Sequence, residues 1–140
     1  MEQRDFIKDE IERIGQAIGR LIAQLIGTDG NNLPPAQWRA TISEALTEDL
    51  GLSLDQLLDH SRESLLELVD ERQLTPAHIE QLGDLFAEWA GTEREMAVRI
   101  NLGKRALMLY GLSGELSANF SFTRAKKEAH LVAFFKNEET

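Results

Sequence analysis

The chain has 140 residues, 42% of them hydrophobic and 28% charged, a composition that fits one globular domain spanning 1–140. Fifteen Lys and Arg against 24 Asp and Glu give a formal charge of −9, opposite to the basic face a nucleic-acid-binding module needs. Cysteine is absent, which excludes disulfides, thiolate nucleophiles and sulfur-ligated zinc.

A long N-terminal helix is predicted over 5–27. Ile7, Ile11, Ile14, Ile18, Leu21 and Leu25 recur in steps of three and four, and Ile22 and Ile26 widen the seam. The charges from Glu2 to Arg13 do not fit a secretory leader. The most apolar run, Ala17 to Ile26, contains Arg20 and Gln24 and falls short of the ~20 residues that span a bilayer. A cytoplasmic location without membrane attachment is therefore expected. Gly27 closes the helix, and Thr28 to Asn32 form a polar loop.

Behind it lies a predicted hairpin core, 35–137. Pro34-Pro35 opens a second helix with Trp38, Ile42, Ala45, Leu46 and Leu50 inward, ended by Gly51. Ser53 with Gln56 is a capping box for a third helix carrying Leu54, Leu57, Leu58, Leu65, Leu68 and Val69. Thr75-Pro76 starts a fourth, which buries Ile79, Leu82, Leu85, Phe86 and Trp89 and stops at Gly91. Thr92 with Glu95 repeats the capping box for a fifth helix through Met96, Ile100, Leu102, Leu107, Leu109 and Tyr110. After a break at Ser117 to Ser121, a sixth carries Ala125, Ala129, Leu131, Val132, Phe134 and Phe135.

No strand-like alternation interrupts this pattern, so the expected class is all-α, about six helices packed as antiparallel αα-hairpins. Ser53 and Thr92 start hairpins 39 positions apart, close to the period of helical-hairpin repeats. Leu82-Gly83 and Leu102-Gly103 are similar to the Leu-Gly pair of tetratricopeptide helices, though the rest of that consensus is missing.

Two stretches resemble a group of uncharacterised bacterial helical proteins. One is Arg4-Asp5-Phe6-Ile7-Lys8-Asp9-Glu10-Ile11-Glu12-Arg13-Ile14-Gly15. The other is Ala106-Leu107-Met108-Leu109-Tyr110 followed by Phe120-Ser121-Phe122-Thr123-Arg124. The resemblance covers roughly a third of the chain. It implies a tetratricopeptide-like fold and brings no catalytic residues with it.

Motifs for chemistry are missing. His60, His78 and His130 have Leu57, Thr75 and Lys127 three positions earlier, so no Glu-x-x-His or His-Glu-x-x-His pair exists. Each histidine is expected to have a surface or capping role. Gly103-Lys104 lacks the rest of a phosphate loop. Asp29-Gly30-Asn31-Asn32 fails the EF-hand order, with Ala40 at the twelfth position. The chain is read as non-enzymatic, with no catalytic, cofactor-binding or metal-binding residue and no cofactor.

Two features remain. Gly15 and Gly19 sit four apart on the first helix; either a second subunit approaches there, or Trp38 or Trp89 of the same chain packs over them. Charge is also divided: Glu44 to Glu95 holds 14 acids against three bases, whereas Met96 to Lys136 holds seven bases against two acids. Exposed pairs between such surfaces stabilise little, ~0–1 kcal/mol each, but the surfaces can select partners.

The expected function is therefore a protein-protein interaction module, binding a peptide or protein, acidic in character, through Arg99, Lys104, Arg105, Tyr110, Arg124 and Lys127. The alternative is a structural homodimer assembled through Ile11, Gly15, Ile18, Gly19 and Ile22. An enzyme on a helical scaffold ranks third.

Overall fold

The computed structural model describes the backbone of residues 2–27, 33–117 and 121–139, and the side chains within 8–136 of that range. The predicted loop Thr28–Asn32 and the Phe120 part of the resemblance lie outside the described residues. Among the described residues the protein is all-α. The helices are α1 (Glu2–Ile26), α2 (Pro35–Ala45), α3 (Leu54–Asp59), α4 (Arg62–Arg72), α5 (Pro76–Thr92), α6 (Met96–Leu116) and α7 (Phe122–Glu139), with a π-helical turn at Leu46–Leu50 continuing α2. The chain forms two compact units, Met1–His78 and Ile79–Thr140.

In the first unit α1 supplies a stripe of Ile14, Ala17, Ile18, Leu21 and Leu25, all buried. It packs on α2 and the π-helical turn. Burying one such isoleucine or leucine stabilises the fold by about 1.5–3 kcal/mol. Gly27 ends α1 with φ 80°, its N–H bonded to the Ala23 carbonyl at 2.9 Å, which is the stop the sequence predicts. Trp38, on α2, is buried and donates its indole N–H to the Leu33 carbonyl at 2.8 Å, fixing how the chain enters the helix. Gly51, at φ 65°, closes the π-helical turn, and Leu52 N–H reaches back to the Leu46 carbonyl at 3.0 Å.

The third predicted helix is two helices. Ser53 caps α3 by accepting from the Gln56 N–H, as expected, but His60 is extended at ψ 142°. Ser61 then caps α4 by accepting from the Ser64 N–H at 3.2 Å. The gap in apolar residues between Leu58 and Leu65 marks this break in the sequence. α4 ends with Gln73 in the left-handed region at φ 52°, where Leu74 N–H bonds to the Val69 carbonyl at 3.0 Å.

At the start of α5, Thr75 and His78 cap each other. The His78 N–H donates to Thr75 Oγ1 at 3.2 Å, and the Thr75 N–H donates to His78 Nδ1 at 3.1 Å. With Nδ1 accepting, the hydrogen-bond network assigns the ring proton to Nε2, which donates to the Ile11 carbonyl of α1 at 2.8 Å.

In the second unit the Thr92–Glu95 capping box does not form. The Thr92 hydroxyl donates back to the Trp89 carbonyl at 3.0 Å, extending α5 one residue past Gly91, and Glu95 makes no side-chain cap. α6 begins at Met96 and runs to Leu116, up to the predicted break at Ser117. Ser121 caps α7 by accepting from the Arg124 N–H at 3.1 Å. Ile79, Leu82, Leu85, Phe86 and Trp89 of α5 are buried as expected, with Leu102, Ala106, Leu109, Tyr110 and Leu112 of α6. α6 and α7 pack together, and the Phe135 ring fills the space a Cβ on Gly103 would occupy, 2.9 Å from it. Met96 and Val132, counted as apolar helix positions, lie outward at 47% and 44% exposure.

Candidate functional site

Of the six residues expected to bind a partner, three converge, but on the protein's own acids. Glu80 and Asp84 stand four apart on one face of α5, and Arg124 and Lys127 three apart on one face of α7. Lys127 Nζ donates to Glu80 Oε2 at 2.9 Å and to Asp84 at 3.0–3.1 Å. The Tyr110 hydroxyl of α6 donates to Asp84 Oδ1 at 2.6 Å. Arg124 is 8% exposed, with Nη1 3.9 Å from Glu80 and Nε 4.0 Å from Glu128.

Glycine makes this arrangement possible. A Cβ on Gly83 would lie 2.7 Å from the Tyr110 ring, so α6 reaches Asp84 only because that position is bare. At Gly114 a Cβ would lie 3.3 Å from Arg124 Nε, closer than ordinary contact but without the overlap found at Gly83.

Burial foremost, then the hydrogen bond to Asp84 and the charges of Asp84, Glu80 and Glu88, pushes the Tyr110 phenol far above its ordinary range. Burial opposes the Lys127 ammonium most strongly, yet the hydrogen bonds and charges of Glu80 and Asp84 together outweigh it and hold the group above its usual value. At neutral pH the phenol and the ammonium both keep their protons as donors to the two carboxylates. The cluster is a brace joining three helices.

The other predicted residues are placed separately. The Arg99 guanidinium lies 5.1 Å over the Phe134 ring and is half-buried. Arg105, half-buried, directs Nη1 towards Met108 Sδ at 3.8 Å. Lys104 is exposed. Counted along the chain, Glu80 and Asp84 are only two of the acids between Glu44 and Glu95. Their spacing around a glycine is the signal that marks them.

On α1, Ile18 is fully buried within the protomer, which removes it from any exposed interface. Ile11 is 37% exposed, and Gly15, Gly19 and Ile22 are half-buried. Among the described residues, nothing beyond the helix's own neighbouring backbone lies within 4 Å of where a Gly19 Cβ would sit, so Trp38 does not pack over it. The Arg13 guanidinium donates to the Asp49 carbonyl at 2.9 Å, tying α1 to the π-helical turn.

Among the described residues no group of three or more His, Asp or Glu could hold a metal ion, and no helix is long and apolar enough to cross a membrane. Compared with known proteins, the chain matches no family, no curated protein and no solved structure.

Proposed function

We propose that the chain is a cytoplasmic, non-enzymatic interaction module of tetratricopeptide-like kind, binding a peptide or protein through the outer surface of its α6–α7 hairpin. One observation carries this: Met96, Leu116, Phe122 and Val132, four of the large apolar side chains left exposed, all lie on that hairpin. Exposed Lys104 of the same hairpin would favour an acidic partner. Tyr110, Arg124 and Lys127 position the helices and do not touch the partner.

The test is affinity capture from the source lysate at low (about 50 mM) and high (about 500 mM) salt, with mass spectrometry of the eluate. The proposal expects a specific protein that Leu116→Glu releases. Equal capture by wild type and Leu116→Glu would contradict it.

A second reading, a homodimer through α1, has its own support in exposed Ile11 and Ile26 and the open space at Gly19. Sedimentation of wild type and Gly19→Leu tests it: a dimer broken by the substitution supports the reading, and a monomeric wild type overturns it.

A further inference from the structure

α7 is joined to its neighbours differently from the helices it packs against. α5 buries Leu82, Leu85, Phe86 and Trp89, and α6 buries Leu102, Leu109 and Leu112. Among the described side chains of α7, Leu131 is the one buried apolar group, and the other buried side chain is Arg124. Apolar burial drives helix packing in water, whereas a charged contact gains little over the hydration it replaces. Within this unit α7 is therefore the helix most readily exchanged for another.

The seat on which α7 rests dictates what can replace it. Arg124, Lys127, Leu131 and Phe135 recur in steps of three, four and four, on one face of the helix. Arg124 and Lys127 meet Glu80 and Asp84 of α5, and the Phe135 ring takes the space of a Cβ at Gly103 on α6. The two acidic side chains are only 24% and 30% exposed, so a seat without cations would hold part-buried charge uncompensated. An acidic or wholly apolar helix cannot take the place of α7, and one with the same two cations can. The match is local and not one of net charge, since α7 has Arg124, Lys126, Lys127 and Lys136 against Glu128, Glu138 and Glu139. We propose that α7 is a displaceable strap over an acidic seat on α5 and α6, for which a cationic amphipathic helix of another protein competes. That helix carries two bases three positions apart, a leucine four positions on and an aromatic residue four beyond it. The seat is distinct from the outer surface of the hairpin, and either reading can fail without the other. A second copy's α7 offers the same side chains, but two chains of −9 repel each other and the exchange adds no contact.

The probe is a fluorescent peptide with the sequence of residues 121–136, beside a control in which Arg124→Glu and Lys127→Glu reverse its two cations. Anisotropy reads its binding to the full chain, as wild type and as Lys127→Met, which loosens the chain's own strap. Apparent affinity scales with the fraction of open seats, so Lys127→Met is expected to bind the peptide about tenfold or more tightly than wild type. Neither chain is expected to bind the control. No binding to either chain, equal affinity of the two chains, or binding of the control would overturn the proposal. Circular dichroism checks that Lys127→Met keeps its helices, and amide hydrogen exchange of the wild type tests the strap without any substitution. The α7 amides are expected to exchange together, about tenfold or more faster than the slowest amides of α5 and α6. Equal protection of the three helices would overturn the strap. A wild-type dimer that excess peptide dissociates would overturn the occupant in favour of a second copy.

Discussion

Lys127 sits with its ammonium 5.8 Å from the centre of the Tyr110 ring, and both side chains donate to the same Asp84 carboxylate. The contact joins α6 and α7 through an acid of α5. It turns two residues with the look of a binding surface into internal structure.

The brace makes the fold sensitive to alkaline conditions. In the unfolded chain the tyrosine and lysine lose their protons near pH ~10 and ~10.4. Both groups are held higher in the folded protein, so above those values the unfolded state binds fewer protons than the native state. Their stabilisation is complete at neutral pH and is lost as pH rises beyond about 10. Urea denaturation between pH 7 and 11 should show a steeper decline for wild type than for Tyr110→Phe. Parallel profiles would contradict the arrangement.

Two glycine-to-alanine changes should move stability in opposite directions. Gly83→Ala forces the Tyr110 ring away from Asp84 and should destabilise by about 1–3 kcal/mol. Gly19→Ala meets open space inside a helix and should stabilise by about 0.5–1 kcal/mol. Denaturation midpoints of the two variants check both signs.

Gln73 holds a left-handed conformation at the end of α4, a geometry that costs a side chain about 1–2 kcal/mol. Gln73→Gly should therefore stabilise by about 1 kcal/mol after the greater freedom of glycine in the unfolded chain is counted. Calorimetry showing no gain would place the strain elsewhere.

Apolar spacing made the helices legible, because one buried stripe per helix leaves a period that survives without the structure. Gly27, Gly51, Ser53 and Thr75 also act where local chemistry predicts. The failures have local causes. Ser61 competes with the helical period by capping a new helix, and Thr92 spends its hydroxyl on the Trp89 carbonyl instead of a cap. On α7 both faces carry apolar residues, so periodicity alone could not say that Leu131 turns inward and Val132 outward.

The ionic brace was harder to see. Glu80 and Asp84 lie more than 40 positions from Lys127, and only the folded helices bring them within hydrogen-bond distance. Along the chain, Arg124 and Lys127 simply belong to the basic stretch from Met96 to Lys136. Their pairing with the acidic stretch is a tertiary fact.

Lys126 and Lys127 are adjacent but have opposite tasks: Lys126 faces solvent and Lys127 holds the brace. The most direct measurement is the urea-denaturation midpoint of Lys126→Met beside that of Lys127→Met. Lys127→Met should cost about 1.5–3 kcal/mol through its lost charged hydrogen bonds, and Lys126→Met should stay within about 0.5 kcal/mol of wild type. Equal losses at the two positions, or a larger loss at Lys126, would contradict it.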